Sequence, residues 1–309
     1  MKIRKWAVGA VVAVMSLAGV AQAQDTCFGL SASDCAAIAS ATENTLNTVT
    51  SFNQTWSIDF RVSGIPDSGD LTFSANGSGP VIIDLMSAFP LSFEQTVTAS
   101  FSDGMTSGGG ATGAILKDGI LYINMGDGMW GSLNLLSALE SGEIGGQELP
   151  LDALATGELD PEMALGVLEG FGDLTAIPGF LNYTRSGDTF TFVADLTRLI
   201  NDANFQSSVS NLAMAAGEDG QQIAGLVSLL PMLLTEGRIE VVQQINSAAN
   251  IVTGLGFNVN ATIDGSMLTG SAAPITITLT FRVDLSDPNG SFDIQAPANA
   301  TPLEGMMGM

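Results

Sequence analysis

The sequence predicts an α+β fold, in which a curved, one-sided antiparallel β-sheet forms an open half-barrel and helices cover its concave face. Three observations predict it. Runs in which apolar and polar residues strictly alternate recur along the whole chain. Asp-Gly or Ser-Gly-Asp sits between paired runs, the signature of hairpins. Finally, helical stretches interrupt the strand blocks, and a sheet with one apolar face must bury it against something.

The elements follow in order. Residues 1–23 read as a secretory signal peptide. Lys2, Arg4 and Lys5 precede a short apolar core, and Ala21-Gln22-Ala23 fits the small-x-small cleavage rule. No cysteine stands at the cleavage point. The expected location is therefore periplasmic or extracellular, in the cell envelope and soluble after cleavage. Removing the signal takes three of the nine basic residues and none of the 32 acidic ones, leaving six against 32, a formal charge of −26. Such a surface repels nucleic acid and anionic headgroups. It does not imply disorder, since 46% of residues are hydrophobic.

Residues 24–50 read as a stapled N-terminal segment and helix that pack on the main domain. Cys27 and Cys35 are the only cysteines, and in an exported chain they are expected to form a disulfide. A helix is predicted from about Ser33 to Val49. A strand follows, with Trp56, Ile58, Phe60 and Val62 alternating with Ser57, Asp59 and Arg61. Leu71, Phe73 and Ala75 continue the pattern, as do Leu91, Phe93, Val97, Ala99 and Phe101, with only Gln95 breaking that face. Two strands flank Lys117-Asp118-Gly119, and another hairpin turns at Ser186-Gly187-Asp188. The last third holds three long alternating runs, around Ile239, Phe257 and Ile277.

Helical inserts are predicted at about 149–171, with Asp160 as N-cap and Pro161 at the first helical position, and at about 195–234. The second ends in "QQIAGLVSLLPMLL", apolar nearly all round and so expected to be deeply buried, with a kink at Pro231. The half-barrel domain spans 51–304, and 305–309 is a flexible tail.

The composition excludes much chemistry. There is no histidine, which removes the usual general base and a common zinc ligand. No metal and no cofactor are expected. Paired carboxylates could act as in glycosidases, but nothing places such a pair. Asp284, Asp287, Asn289 and Asp293 do not follow the EF-hand spacing and read as a turn. "GMTSGGGATG" and "GDGMWG" match no phosphate-binding fingerprint and read as turns or rims. Apolar surface remains. Methionines recur at strand ends and inserts, and a curved sheet under glycine-interrupted helices tends to leave a cavity.

Three stretches resemble the bacterial lipoprotein-carrier superfamily of LolA-like and LppX/LprG-like proteins. They are "SFNQTWSIDFRVSG", "KDGILYINMGDGMWGSLNL" and the ending "ITITLTFRVDLSDPNGSFDIQAPANATPL". The resemblance spans about Ser51 to Leu303. It implies an open half-barrel plugged by helices, a pocket for lipid or lipidated cargo, and no enzyme activity. The chain departs from the family in lacking the lipobox cysteine of the LppX-like members. No arginine can be equated with the carrier's internal arginine, since Arg61 falls on the polar face of its strand.

The expected function is that of a non-enzymatic carrier or sensor of a lipid or other hydrophobic small molecule, with transient membrane or lipoprotein contact. Its pocket is expected to be walled by Trp56, Ile58, Phe60, Phe73, Leu121, Ile123 and Trp130, and by Leu226, Leu229, Leu230 and Met232 of the second insert. The alternative is an envelope structural or interaction protein with a filled core and no ligand.

Overall fold

A computed structural model describes residues 30–65, 69–87, 89–135, 137, 143–144, 147–148, 177–208, 229–266 and 273–303. The signal segment, Cys27, the 149–171 insert and the tail lie outside these residues.

Helix α1 spans Ala32–Thr48, one residue earlier than the sequence reading. Ser31 caps it, its hydroxyl accepting from the Asp34 amide at 3.1 Å. The helix stops as Thr48-Val49-Thr50, a β-branched run, turns extended into the first strand. Ile38, Ala41 and Thr45 form its buried stripe.

The strands are β1 (Ser51–Ser63), β2 (Leu71–Ile83), β3 (Leu91–Ser102), β4 (Ser107–Lys117), β5 (Ile120–Gly126), β6 (Met129–Asn134), β7 (Glu143–Ile144), β8 (Gln147–Glu148), β9 (Leu181–Ser186), β10 (Thr189–Asp195), β11 (Leu234–Asn246), β12 (Ile251–Ile263), β13 (Ile275–Ser286) and β14 (Ala300–Pro302); helix α2 (Leu196–Ile200) follows β10. Twelve of them form one sheet in the order β14-β6-β5-β4-β3-β2-β1-β13-β12-β11-β10-β9, and β7 and β8 pair separately. The sheet does not close on itself, so it is an open, curved half-barrel.

Both predicted hairpins are present. Asp118 and Gly119 link β4 to β5 with φ of 52° and 79°, the left-handed pair that a two-residue type I′ turn needs. Gly187, with φ 61°, opens the β9–β10 turn.

Three expectations need correction. The sheet is not wholly antiparallel, because β14 runs parallel to β6, Ala300–Pro302 against Trp130–Ser132. It reaches that edge because residues 287–299 cross back from the centre of the sheet. Second, the glycine run is not a turn. Gly108–Gly110 belong to β4 and pair with Ala99–Phe101, while the turn itself is Asp103–Thr106, closed by Asp103 accepting from the Met105 and Thr106 amides. At Gly108 the absence of a side chain makes room for a cross-strand ring. A Cβ on Gly108 would stand 2.6 Å from the Phe101 ring. Third, the second insert is not deeply buried where it is described. It is helical at 196–200, 203–208 and 229–233, and Leu229, Leu230 and Met232 are exposed. They stand where β11 begins, at the end of the sheet away from α1, and an apolar run buries itself only where a partner surface lies alongside.

The inner face of the half-barrel

Residues directly opposite one another in antiparallel strands project to the same face. The register therefore sorts the sheet into an inner face, on which α1 packs, and an outer face. Phe52, Trp56, Ile58, Phe60 and Val62 of β1 stand opposite Val81, Gly77, Ala75, Phe73 and Leu71 of β2, and opposite Val283, Phe281, Leu279 and Ile277 of β13 for Trp56 through Val62. All of these are inner-face residues.

Of the pocket residues expected from sequence, Trp56, Ile58, Phe60 and Phe73 come together on this face. Leu121 and Ile123 share the face but lie apart, in β5. Leu121 pairs with Leu116 and so joins the row of Phe93, Val81 and Phe52, nearer α1. Trp130 is on the outer face. It pairs with Asn124, and its ring lies over Gly113, whose added Cβ would meet it at 3.2 Å. Around β4–β6 the sheet is apolar on both faces, with Ile115 buried on the outer side. An aromatic residue there does not reveal its face. Leu226 lies outside the described residues, and Leu229, Leu230 and Met232 stand exposed at the far end of the sheet.

The inner face has a packed end and an end that, among the described residues, is uncovered. At the packed end, Ile38 and Ala41 of α1 meet Phe190, Ile245 and Val252. Beside them Val49, Phe52, Val81 and Ile251 form a second cluster. A space of about 10 Å³ by Phe52 and Leu285 barely admits one water. At the other end Phe73 and Phe101 are 39% and 52% exposed, although they face each other across β2 and β3. Ile65, Leu71, Met105, Met125 and Met129 are exposed at this same end of the strands.

Polar groups on the inner face are few. Gln95 is buried there; its amide nitrogen donates to the Gly79 carbonyl at 3.1 Å, and its Oε1 has no partner. Arg185 pairs with Phe190 across β9–β10, stands 5.0 Å over that ring, and forms an ion pair with Asp34 of α1. The Ser31 hydroxyl holds the Asp34 carboxyl below its usual range; burial opposes it, and Arg185 and Tyr183 add to the lowering. Burial, followed by the nearby Asp34 charge, pushes the Tyr183 phenol up to about 12. Thus a polar clasp ties the start of α1 to the β9 edge. Arg61, on the outer face, pairs with Asp70.

The outer face carries a groove of about 230 Å³ floored by Gly254 and Gly256, with Val242 and Asn258 on its walls. Arg282 and Asp284 line it and satisfy each other at 2.7 and 2.9 Å. That bond raises the Arg282 guanidinium further above its ordinary range. Near the last strand, the turn at Asp287–Gly290 serves structure, as Asn289 accepts from the Thr50 amide at 2.8 Å and Asp287 accepts from Asn53.

Sequence reasoning missed Phe101, which stands opposite Phe73 across β2 and β3, although the alternation had placed it on an apolar face. Only the register brings the two rings together.

No protein-family model matches the chain, and no curated protein matches it. Among solved structures it is similar to LprF from Mycobacterium bovis, at 11% identity and a TM-score of 0.30, over 85% of this chain and 96% of that one. The chain is also similar to a β-barrel-like protein of a domain of unknown function, DUF1849, from Brucella abortus, at 11% identity and a TM-score of 0.15, over 78% and 100%. The half-barrel itself is established by the chain's own strand order and register.

Proposed function

We propose that the mature chain is an exported, non-enzymatic protein that holds a lipid or other hydrophobic ligand against the inner face of its half-barrel. The observation that carries this reading is the contrast along that face. One end is packed and closed by α1, while the row of Trp56, Ile58, Phe60 and Phe73 runs to an end where large apolar side chains stay exposed. A soluble protein rarely leaves such a contiguous patch without a use. Burying a ligand there gains about 0.8 kcal/mol per CH₂ removed from water. The unspent acceptor of Gln95 suits a ligand with one hydrogen-bond donor as well as an apolar body.

In the same reading, the signal at 1–23 exports the chain, a Cys27–Cys35 disulfide staples the segment before α1, and one domain spans 51–304. The test is native mass spectrometry of the mature protein purified from its own host, followed by uptake of fluorescent acyl probes. Co-purified lipid or saturable uptake is expected. Ligand-free protein that takes up no probe would overturn the reading in favour of a structural role.

A further inference from the structure

The turn between β3 and β4 is built to shed water. Every backbone amide of residues 103–106 has a partner within the turn or beside it. The Asp103 amide donates to the Thr106 carbonyl at 3.1 Å, and the Gly104 amide to the Ser102 hydroxyl at 3.2 Å. The Met105 and Thr106 amides donate to the Asp103 carboxylate at 2.9 and 2.6 Å. Loop amides otherwise need water, and dehydrating them unpaired is costly. At the apex stands Met105, 81% exposed, where turn chemistry favours small polar residues.

Met105 is part of a larger edge. A Cβ on Gly69 would fall 2.4 Å from the Gly104 Cα, so the ends of β1–β2 and β3–β4 touch backbone to backbone. Ile65 and Leu71 are exposed on that side. Phe101 lies two residues, about 7 Å, behind the turn, with Phe73 opposite it, and both rings are exposed. Apolar groups that enter a membrane interface reach about 5–10 Å deep, which takes in the turn and the two rings. The other end of these strands is different. The β2–β3 turn there exposes Met86, but Phe89 beside it is buried and Val81 and Phe52 behind it are packed.

Charge narrows the partner. Asp70 at this edge is paired by Arg61, and Asp103 faces no cation among the described residues. The Thr106 and Met105 amides hold its carboxyl below the usual range. With the excess of acidic residues over the whole chain, this edge repels anionic headgroups. A zwitterionic phospholipid presents its ammonium group outermost, and that group complements Asp103.

We propose that the ends of β1–β4 dock on the surface of a zwitterionic phospholipid bilayer, Met105 entering the boundary between headgroups and acyl chains. The proposal rests on this edge and not on the ligand-carrier reading.

The experiment floats the mature protein with vesicles of phosphatidylcholine or of phosphatidylglycerol, comparing wild type with Met105→Asp, Met105→Leu and Met86→Asp. Met86 is 87% exposed, so Met86→Asp controls for a charge gained and a methionine lost. Far-UV circular dichroism checks folding. The wild type is expected to float with phosphatidylcholine and about tenfold less with phosphatidylglycerol at low salt. Met105→Asp should weaken binding to phosphatidylcholine about tenfold, while Met105→Leu and Met86→Asp leave it unchanged. Absence of wild-type flotation, equal binding to both lipids, or equal weakening by Met86→Asp would overturn the proposal. So would a wild-type dimer in analytical ultracentrifugation that does not float and that Met105→Asp dissociates, which would give the edge to a second copy of the chain. Acyl-probe uptake in solution is expected to be the same for all variants, so its absence bears on the carrier reading and leaves docking standing.

Discussion

Replacing Ile38 by alanine tests whether α1 is clamped to the inner face as described. Ile38 is 1% exposed and meets Phe190, Ile245 and Val252. The substitution removes three carbons, worth about 2.5 kcal/mol in transfer from water at ~0.8 kcal/mol each. A cavity left among rigid neighbours adds roughly 1 kcal/mol. Alanine's better helix propensity returns at most about 0.5 kcal/mol. The expected loss is therefore about 3 kcal/mol, a large part of the 5–15 kcal/mol typical of a folded domain. Leu46, eight residues on, is 44% exposed on the same helix, and Leu46→Ala should cost under about 1 kcal/mol. Urea denaturation followed by circular dichroism measures both, with unchanged slope showing that only stability has moved. Equal losses for the two variants would refute the assignment of the buried stripe. So would a loss below about 1 kcal/mol for Ile38→Ala.

Other substitutions probe the neighbouring features. Thr45 donates its buried hydroxyl to the Ala41 carbonyl at 2.7 Å and accepts the Val252 amide at 2.8 Å. That amide sits where the β11–β12 register shifts. Thr45→Val should cost about 1–3 kcal/mol by orphaning it, and Thr45→Ser should restore most of the loss in the same urea assay. Tyr183 is one of two tyrosines, so in a Tyr122→Phe background absorbance titration should show it ionising near pH 12. Because its folded pKa is raised from 10, the stability it carries is present below pH 10 and lost as pH rises towards 12; a midpoint near 10 would remove the claim that it is buried. Asp34 has the opposite sign. Its folded pKa is depressed below 3.8, so its contribution is present above pH 3.8 and lost as pH falls through the folded value. Asp34→Asn should flatten the acid limb of a stability–pH profile, and an unaltered limb would contradict the clasp. Finally, Trp130→Ala on the outer face should leave acyl-probe uptake unchanged, whereas Trp56→Ala should weaken it; the reverse order in a fluorescence titration would exchange the two faces.

Much of the fold was legible because alternation is local. Trp56 to Val62 and Ile275 to Leu285 announce strands by period alone, and Asp118-Gly119 announces its turn by chemistry. What was illegible depended on partners. Trp130 reads like a pocket residue until its pairing with Asn124 places it outside. Gly108–Gly110 read as a turn because glycine favours turns, and only the Phe101 ring against Gly108 shows why a strand would use glycine there. Leu229 to Met232 are apolar enough to be buried, yet hydrophobicity does not say what covers a segment. The candidate site suffered most. Trp56, Ile58, Phe60 and Phe73 were visible as apolar faces, but that Phe60 stands opposite Phe73, and Phe73 opposite Phe101, is known only from the register.

The rows of the inner face differ in how much added volume they tolerate. The rows through Phe52 and Phe190 are filled by α1 and by each other, so a change of one methylene there is felt throughout the cluster. In the row through Ala75, Ala99 and Gly110 the packing is uneven, since Ala75 is 6% exposed while a Cβ at Gly110 would meet nothing within 4 Å. Added bulk at Gly110 therefore meets no neighbour, and a glycine-to-leucine change there favours the strand, whereas added bulk at Ala75 meets packed atoms. A larger residue at Gly110 should leave folding nearly unchanged, while a substitution of equal size at Ile38 or Phe190 undermines the scaffold.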